Sequence, residues 1–166
     1  MKELLYLKDD QLKEFIEKIS MSYRETFSDA KKVLDKHSIG IAHHKVINLI
    51  SLYEGITVSE LQKKLKITKQ SLNRVLKDLI KIEVIDFKKD QRDTRLKHLY
   101  LNDKGIKLFE EIFNVQKKRI YKALLNSSSK EVINFKRFFE DKSCRSILNS
   151  GRMLHYTLEG LSLIHI

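Results

Sequence analysis

The sequence contains no proline, no tryptophan, one cysteine and five glycines among its 166 residues. The absence of proline favours long, uninterrupted helices, since proline inside a helix removes a backbone hydrogen bond. The single cysteine, Cys144, excludes an intrachain disulfide framework and a cysteine-rich zinc site, and it fits the reducing cytoplasm in which we expect the protein. No apolar run approaches the roughly 18 residues of a membrane-spanning helix, so we expect a globular chain that does not cross a membrane.

Positive charge is the most prominent feature that is present. The chain has 33 basic and 22 acidic residues, a formal net charge of +11. Residues 63–104 alone hold 13 basic and 6 acidic residues, a net charge of +7. Such an excess predicts a polyanionic partner, either nucleic acid or an anionic membrane surface.

The first half of the chain has the periodicity of helices. Apolar residues from Leu12 to Leu34 recur at steps of three and four, a stripe long enough to pack against another helix, including one from a second subunit. Ser38 is a candidate cap for a second helix from Ile39 to Leu52. Inward positions of that second helix are predicted to be Ile41, Val46, Leu49 and Ile50.

Two shorter helices are predicted next. Thr57 and Glu60 form a capping-box pattern that opens a short helix, and 66–68 is a three-residue break before a helix from Lys69 to Ile82. The buried side of this last helix is predicted to hold Leu72, Val75, Leu76, Leu79 and Ile80. Its opposite side carries polar and basic residues, namely Lys69, Gln70, Asn73, Arg74 and Lys77.

A hairpin and two further helices complete the pattern. The segments 84–89 and 97–101 are typical of strands, and the charged segment 90–95 between them is the predicted hairpin tip. Asn102 is expected to cap a helix from Asp103 to Leu125, and a second capping-box pattern at 128–131 opens the last one. The inward residues are predicted to be Ile106, Phe109, Phe113, Ile120 and Leu124 in the first of these helices and Val132, Phe135, Phe138 and Phe139 in the second.

Two short helices, a tight turn and a basic hairpin describe a winged helix-turn-helix. The predicted fold class is mainly α with a small β-hairpin wing, flanked by N- and C-terminal helices. The predicted domains are 1–36 for the first long helix, 37–102 for the winged helix-turn-helix, 103–141 for the C-terminal helices and 142–166 for an irregular tail. The last residues, 161–166, read like a translated sequencing-library adapter, so a non-native origin of this tail is a hypothesis.

The polar face of 69–82 has the chemistry of a DNA-reading helix. Arginine pairs with guanine, and asparagine or glutamine with adenine, so Gln70, Asn73 and Arg74 are candidates for base contacts. Lysines and the backbone amides at the helix start are candidates for phosphate contacts, and an arginine at the hairpin tip suits a narrow minor groove. The candidate DNA-binding residues are Thr68, Lys69, Gln70, Ser71, Asn73, Arg74, Lys77, Arg92 and Arg95.

The stretch from Gly55 to Gly105 resembles the MarR family of bacterial transcriptional regulators. The motif DQRDTR at 90–95, followed by a strand and Asn-Asp-Lys-Gly, carries most of the resemblance, which extends over about 12–139. It implies a homodimer with intertwined terminal helices, in which 1–36 and 103–141 are the N- and C-terminal dimerisation helices. The resemblance further implies a palindromic double-stranded DNA operator, frequent autoregulation and, in many members, relief by a small-molecule inducer. It also implies that Asp90 and Arg95 pair to brace the wing, which leaves Arg92 free for the minor groove.

Other functional interpretations are weaker. His37, His43 and His44 favour structural roles over a metal site, because adjacent helical side chains point about 100° apart. Cys144 lies outside the N-terminal helix that carries the reactive cysteine in peroxide-sensing relatives, and Tyr23, Phe27, Tyr53 and Phe109 are better explained as core than as an inducer pocket. No phosphate loop or HExxH motif is present, so we expect neither an enzyme nor a cofactor. The main alternative is a winged-helix protein-interaction module; a peripheral membrane protein is disfavoured because the basic face lacks tryptophan or phenylalanine anchors.

Overall fold

The computed structural model describes residues 8–90, 93 and 96–140, and it confirms a mainly helical fold with a small antiparallel sheet. In chain order the elements are α1 (Asp9–Lys36), α2 (Ile41–Leu52), β1 (Ile56–Thr57), α3 (Val58–Leu65), α4 (Lys69–Lys81), β2 (Ile85–Lys89), β3 (Lys97–Leu101), α5 (Asp103–Leu124) and α6 (Ser129–Glu140). Residues up to Ile120 form one compact unit, and the described residues from Tyr121 onward form a second. Cys144 and the predicted tail lie outside the described residues.

Side-chain caps set the starts of α3 and α4, as the sequence predicts. The Thr57 hydroxyl accepts the Glu60 N–H at 3.2 Å, and Glu60 in return accepts the Thr57 N–H at 2.9 Å. The Thr68 hydroxyl accepts the Ser71 N–H at 3.1 Å. Each bond satisfies a backbone group that the first helical turn leaves without a partner. These caps therefore fix where the two short helices begin.

The later helices follow the same rule. The Asn102 side-chain oxygen accepts the Gly105 N–H at 3.0 Å at the start of α5. At the start of α6, Ser128 and Glu131 exchange bonds, with the Ser128 N–H donating to Glu131 at 2.7 Å. Both predicted starts are confirmed, and α5 ends at Leu124, in agreement with the end predicted near Leu125.

The predicted start of α2 is wrong. Ser38 does not cap this helix, which begins at Ile41 with Gly40 as its N-cap residue. Ser38 has a left-handed φ of 54°, its N–H donates to the Asp35 carbonyl, and the Ile39 N–H donates to the Leu34 carbonyl. This is the bonding of a Schellman motif, so Ser38 closes α1 instead of opening α2.

The sheet has the order β1-β3-β2, with both pairs antiparallel. Ile56 pairs with Leu99, and Phe87 lies opposite Leu99 from the other side. The two-residue strand β1 thereby attaches the segment before α3 to the outer edge of the hairpin. The sheet holds the helix-turn-helix and the wing in one unit.

The core lies between the sheet and helices α1 to α5. Its fully buried members include Leu34, Ile47, Leu61, Leu72 and Ile112. On α4 the predicted inward residues are buried apart from Ile80, which is 43% exposed because it lies at the edge of the narrow stripe formed by the other four. Ile80 is therefore a correction to the predicted core.

The predicted apolar faces of the C-terminal helices also differ from the structure. The buried residues of α5 are Gly105, Leu108 and Ile112, whereas Ile106, Phe113 and Ile120 are exposed. Gly105 decides this orientation, because its missing side chain lets α5 approach the Val84 carbonyl closely. In α6, taken by itself, no residue is buried, so its predicted inward aromatic residues do not face a core within the described residues.

Candidate nucleic-acid interface

A tight turn joins α3 to α4 and sets the direction of the second helix. Lys66 ends α3 with a left-handed φ of 53°, and its N–H donates to the Gln62 carbonyl at 2.9 Å. The Gln62 side chain then donates to the Ile67 carbonyl at 3.3 Å. Ile67 is half-buried, and the chain enters α4 directly after the Thr68 cap. These contacts turn the chain in three residues and leave one face of α4 exposed among the described residues.

The free face of α4 carries the DNA-binding residues that were predicted on this helix. All of them are exposed, and they line an open groove along the helix, with lining residues Lys69, Gln70, Ser71, Asn73, Arg74, Lys77 and Asp78. The opposite face is buried in the core through Leu72, Val75, Leu76 and Leu79. The structure thus brings six predicted site residues onto one polar surface. Thr68 lies at the start of this surface, with its hydroxyl engaged in the cap.

An acidic residue limits the positive charge at the end of this face. The Asp78 carboxylate lies 3.3 Å from the His43 Nε2 atom, which connects α4 to α2. The His43 Nδ1 atom accepts the Gly40 N–H at 3.1 Å, so its other ring nitrogen carries the hydrogen that is donated to Asp78. The His43 side chain therefore holds α4 against α2.

The wing consists of β2, β3 and the segment between them. The Asp90 N–H donates to the Leu96 carbonyl at 3.1 Å, and the Leu96 N–H donates to the Asp93 carbonyl at 2.9 Å. Arg92 and Arg95 lie outside the described residues, so the inferred pairing of Asp90 with Arg95 stays a prediction. On the two strands, Lys97 lies over the Phe87 ring at 4.7 Å from its centroid, and Lys88 lies over the Tyr100 ring at 4.9 Å.

His98 is a wing residue that sequence reasoning missed. Its Nδ1 atom lies 2.8 Å from the Gly55 carbonyl oxygen, and its Nε2 atom lies 3.0 Å from an Asp90 carboxylate oxygen. Hydrogen bonding to the Gly55 carbonyl and to Asp90 raises the pKa of the His98 ring above its usual value. Only the register of the sheet, which places His98 opposite Lys88 and beside β1, brings these groups together.

The three histidines near α2 have separate environments. His44 is buried against the Phe27 ring, and burial, aided by the nearby Lys45 charge, lowers its pKa to about 4, so its ring is neutral. His37 contacts Glu111 at 3.4 Å, away from His43 and its partner Asp78. Within the part of the chain that the structure describes, no group of three metal-binding side chains comes together.

The surface of α1 and α5 carries a second set of features. Gln116 donates to the Thr26 carbonyl at 3.0 Å, and Arg119 contacts Asp29, so the two helices are joined along their sides. Several large apolar residues on these helices are nevertheless exposed, namely Phe15, Ile16, Met21, Ile106, Phe113 and Ile120. Over the described residues, no helix is long and apolar enough to cross a membrane.

Two short helices in a tight turn, a polar second helix and a hairpin packed beside it define a winged helix-turn-helix protein. The sequence model of the MarR family matches residues 37–96. The HTH-type transcriptional regulator PetP of Rhodobacter capsulatus is 38% identical over 155 residues, which cover 93% of this chain and 90% of PetP. The chain belongs to the MarR family of transcriptional regulators, and this membership supports the expectation that it is not an enzyme.

Solved structures agree with this fold. Staphylococcus aureus MarR in complex with salicylate and kanamycin superposes with a TM-score of 0.67 at 22% identity, covering 86% of this chain and 95% of that one. The S. aureus MepR–DNA complex gives a TM-score of 0.56 at 22% identity, covering 76% of this chain and 95% of that one. Both superpositions support the winged-helix fold of this chain.

Proposed function

We propose that this protein is a cytoplasmic, ligand-responsive repressor that binds a palindromic double-stranded DNA operator as a homodimer. The observation that carries the proposal is the division of α4 into a buried apolar face and a free polar face with three basic residues. A helix of this kind fits the major groove, which is wide enough to admit it and displays a distinct pattern for each base pair. The solved relative MepR is bound to DNA in its complex, which supports the same partner for this chain.

The roles on α4 follow from side-chain chemistry. Arg74 is assigned to guanine, and Gln70 and Asn73 are assigned to adenine, because their side chains offer the matching pairs of donors and acceptors. Lys69 and Lys77 are assigned to phosphates on either side of the groove. Thr68 and Ser71 complete the phosphate contacts at the helix start, where the backbone N–H groups attract anions.

The wing is assigned to the neighbouring minor groove. Arg92 is the proposed minor-groove residue, since a narrow A·T-rich groove has an enhanced negative potential. Asp90 and Arg95 are proposed to brace the loop that carries it. The position of Asp90 supports this role, because its carboxylate accepts the Asp93 N–H at 3.0 Å.

The terminal helices are assigned to dimerisation. Helices α1 and α5 expose more large apolar residues than the surface of a monomeric protein usually does. The helices of a second subunit would cover these residues. This supports the domain division of 1–36 and 103–141 for dimerisation and 37–102 for DNA binding. A two-fold dimer would place two copies of α4 on half-sites about one helical turn apart.

Ligand response is proposed from two observations. One solved relative is in complex with salicylate, and this chain has a cavity of about 560 Å³ between the end of α1, the region before β2 and α5. Its lining combines apolar and charged side chains, namely His37, Ile82, Val84, Asp103, Lys104, Lys107, Leu108 and Glu111. The aromatic residues considered above as inducer contacts do not line this cavity, namely Tyr23, Phe27, Tyr53 and Phe109. Release of a bound duplex by added salicylate would support a ligand response.

The decisive experiment selects DNA without assuming an operator. The full chain is incubated with a randomised duplex pool, and the enriched duplex is titrated by fluorescence anisotropy between 50 and 200 mM salt. Sequence-specific binding should enrich a palindrome, and its affinity should fall by at least about a hundredfold over this range, because bound lysines and arginines release counterions. A pool that stays random, or binding that ignores salt, would favour a protein-interaction module instead.

A further inference from the structure

The His98 ring bridges two oxygen atoms that belong to different parts of the winged helix. Its Nδ1 atom lies 2.8 Å from the Gly55 carbonyl oxygen, in the turn before β1. Its Nε2 atom lies 3.0 Å from the Asp90 Oδ2 atom, just after β2. Through these contacts, β3 is tied to the segments on both sides of it by one side chain.

The bridge requires two hydrogens on the ring. A carbonyl oxygen and a carboxylate oxygen are acceptors only, so each needs a donor. A neutral imidazole has one N–H group and would turn a nitrogen lone pair toward the other oxygen at hydrogen-bonding distance. The charged ring has two N–H groups and satisfies both acceptors, so these two distances favour protonated His98.

The surrounding charges favour this protonated state. The Gly55 carbonyl and the Asp90 carboxylate, helped by the charge of Glu60 on α3, raise the pKa of His98 above 6.5, while its partial burial opposes them. Hydrogen bonds from Thr57 keep the pKa of Glu60 low, so Glu60 remains charged beside the ring. Lys88, opposite His98 on β2, lies over the Tyr100 ring at 4.9 Å from its centroid.

The Asp90 carboxylate connects the His98 ring to Asp93, between β2 and β3. Its Oδ1 atom accepts the Asp93 N–H at 3.0 Å while its Oδ2 atom contacts His98. Its own N–H donates to the Leu96 carbonyl. Asp90 and Asp93 stand on either side of Arg92 in the sequence. The protonated ring therefore orients the carboxylate that accepts the Asp93 N–H.

We propose that His98 is a positioning residue whose protonated ring holds the wing in its DNA-binding conformation and makes operator binding pH-dependent. This inference rests on the proposed function. It adds that the winged helix binds a proton, at His98, as well as DNA. Protonation supports the bridge fully below the ordinary histidine pKa near 6.5, and the support is lost as pH rises through the raised pKa of His98. Binding is therefore strongest in mild acid and weakens in alkali.

The first test measures the ring itself and needs no DNA. Long-range proton–nitrogen NMR spectra of the uniformly labelled full chain are recorded from pH 5 to pH 9, and His98→Gln assigns the signal. The expected result is a ring with both nitrogens protonated at pH 5 and a pKa above 6.5, with the Asp93 and Leu96 amide signals shifting along the same curve. A His98 pKa at or below 6.5, or wing amides that ignore its titration, would overturn the proposal.

The second test compares DNA binding by three proteins on the duplex enriched from the random pool. From pH 6 to pH 9 the affinity of the native protein should fall by about tenfold, the equivalent of losing one charge-assisted contact. His98→Gln should bind with a nearly flat pH profile, since glutamine does not titrate. Lys31→Gln is the control, because Lys31 is also a cation that contacts one carboxylate but lies on α1, and it should keep the native profile.

The two tests separate this proposal from the proposed function. If no duplex is enriched, the DNA-binding proposal fails, while the NMR titration still decides whether the protonated ring positions the wing. If a duplex is enriched and His98→Gln keeps the native pH profile, DNA binding stands and the role of His98 is overturned. Urea unfolding of each variant at pH 6 confirms that the compared proteins are folded.

Discussion

The guanidinium group of Arg119 donates to both carboxylate oxygens of Asp29, which joins α5 to α1 through a two-pronged ion pair. The Nη2–Oδ1 distance is 2.7 Å, and the second bond runs from Nε to Oδ2. The Arg119 side chain also lies 3.4 Å from Glu25, one turn earlier on α1. Paired bonds of this geometry fix the orientation of both groups as well as their distance. The pair therefore sets how α1 lies along α5.

Replacing Asp29 with Asn should weaken this connection in a pH-dependent way. The bond from Arg119 lowers the pKa of Asp29, so its contribution is fully present well above the ordinary aspartate pKa and is lost as pH falls through the lowered pKa. We expect Asp29→Asn to lower the urea midpoint at pH 7 by roughly 0.3 M, with the difference from the native protein shrinking in acid. Asp35→Asn, whose partner Lys31 is on the same helix, should change the midpoint less.

Replacing Arg74 with Ala should remove one base contact from the polar face of α4. If Arg74 reads guanine, the substitution should cost about 1–3 kcal/mol on the enriched duplex and relax the preference at one base pair in each half-site. Binding to a panel of single-base variants measures both effects. Arg24→Ala, an exposed arginine on α1, is the control and should leave affinity unchanged. An equal loss on every duplex would reassign Arg74 to a phosphate.

Replacing Arg92 with Ala should weaken binding according to the sequence beneath the wing. The loss should be greatest when that segment is A·T-rich, because its narrow minor groove attracts arginine most strongly. Duplexes that differ only in the flanking base pairs test this in a competition assay. Equal affinity of native and variant proteins for the A·T-rich duplex would contradict the minor-groove role.

Replacing Gly105 with Ala should destabilise the junction of α5 with the sheet. A methyl group at this position would lie 2.0 Å from the Val84 carbonyl oxygen, a backbone atom that cannot move aside without shifting β2 or α5. We expect the free energy of unfolding to fall by more than about 2 kcal/mol. Gly40→Ala is the control, since no atom lies within 4 Å of its added methyl group, and it should cost less than about 1 kcal/mol. Similar losses in the two variants would show that Gly105 has no packing role.

Placing a charge on the exposed apolar surface of α1 should separate the proposed dimer. Ile16 is 57% exposed in the protomer, so Ile16→Asp should leave the protomer folded but bury a charge in the dimer. Sedimentation velocity should then show monomers at concentrations where the native protein is dimeric. Leu52→Asp, at a residue 63% exposed outside α1 and α5, should keep the native sedimentation coefficient. A dimeric Ile16→Asp variant would exclude this surface from the interface.

The parts of the fold that depend on neighbouring residues could be predicted from the sequence. Thr57, Thr68 and Asn102 each cap a helix through a bond to a residue three positions later in the chain. All three caps were predicted correctly. Ser38 has the same chemistry as these caps, but the end of α1 uses its N–H group, and only the left-handed turn reveals this. The periodicity of α5 was visible as well, but its buried face depends on the close approach at Gly105. An amphipathic pattern does not contain that information.

The candidate site also combines residues that could be predicted from their neighbours in sequence with one that could not. The polar face of α4 is a property of one helix, so its residues could be named from their spacing. The contact of His98 with Asp90 and Gly55 depends on sheet register and on a segment more than forty residues earlier in the chain. No local pattern marks His98, which in sequence is a single histidine within a short strand.

The pairing of Ile56 with Leu99 also constrains the order in which the chain folds. This contact encloses α3, α4 and β2 within one loop, so the entropy of the whole intervening segment is lost when β1 joins β3. The hairpin of β2 and β3 closes a far shorter loop, so we expect it to form first, together with the capped helices. We therefore expect the two-residue strand β1 to join the sheet last, after the rest of the winged helix has formed.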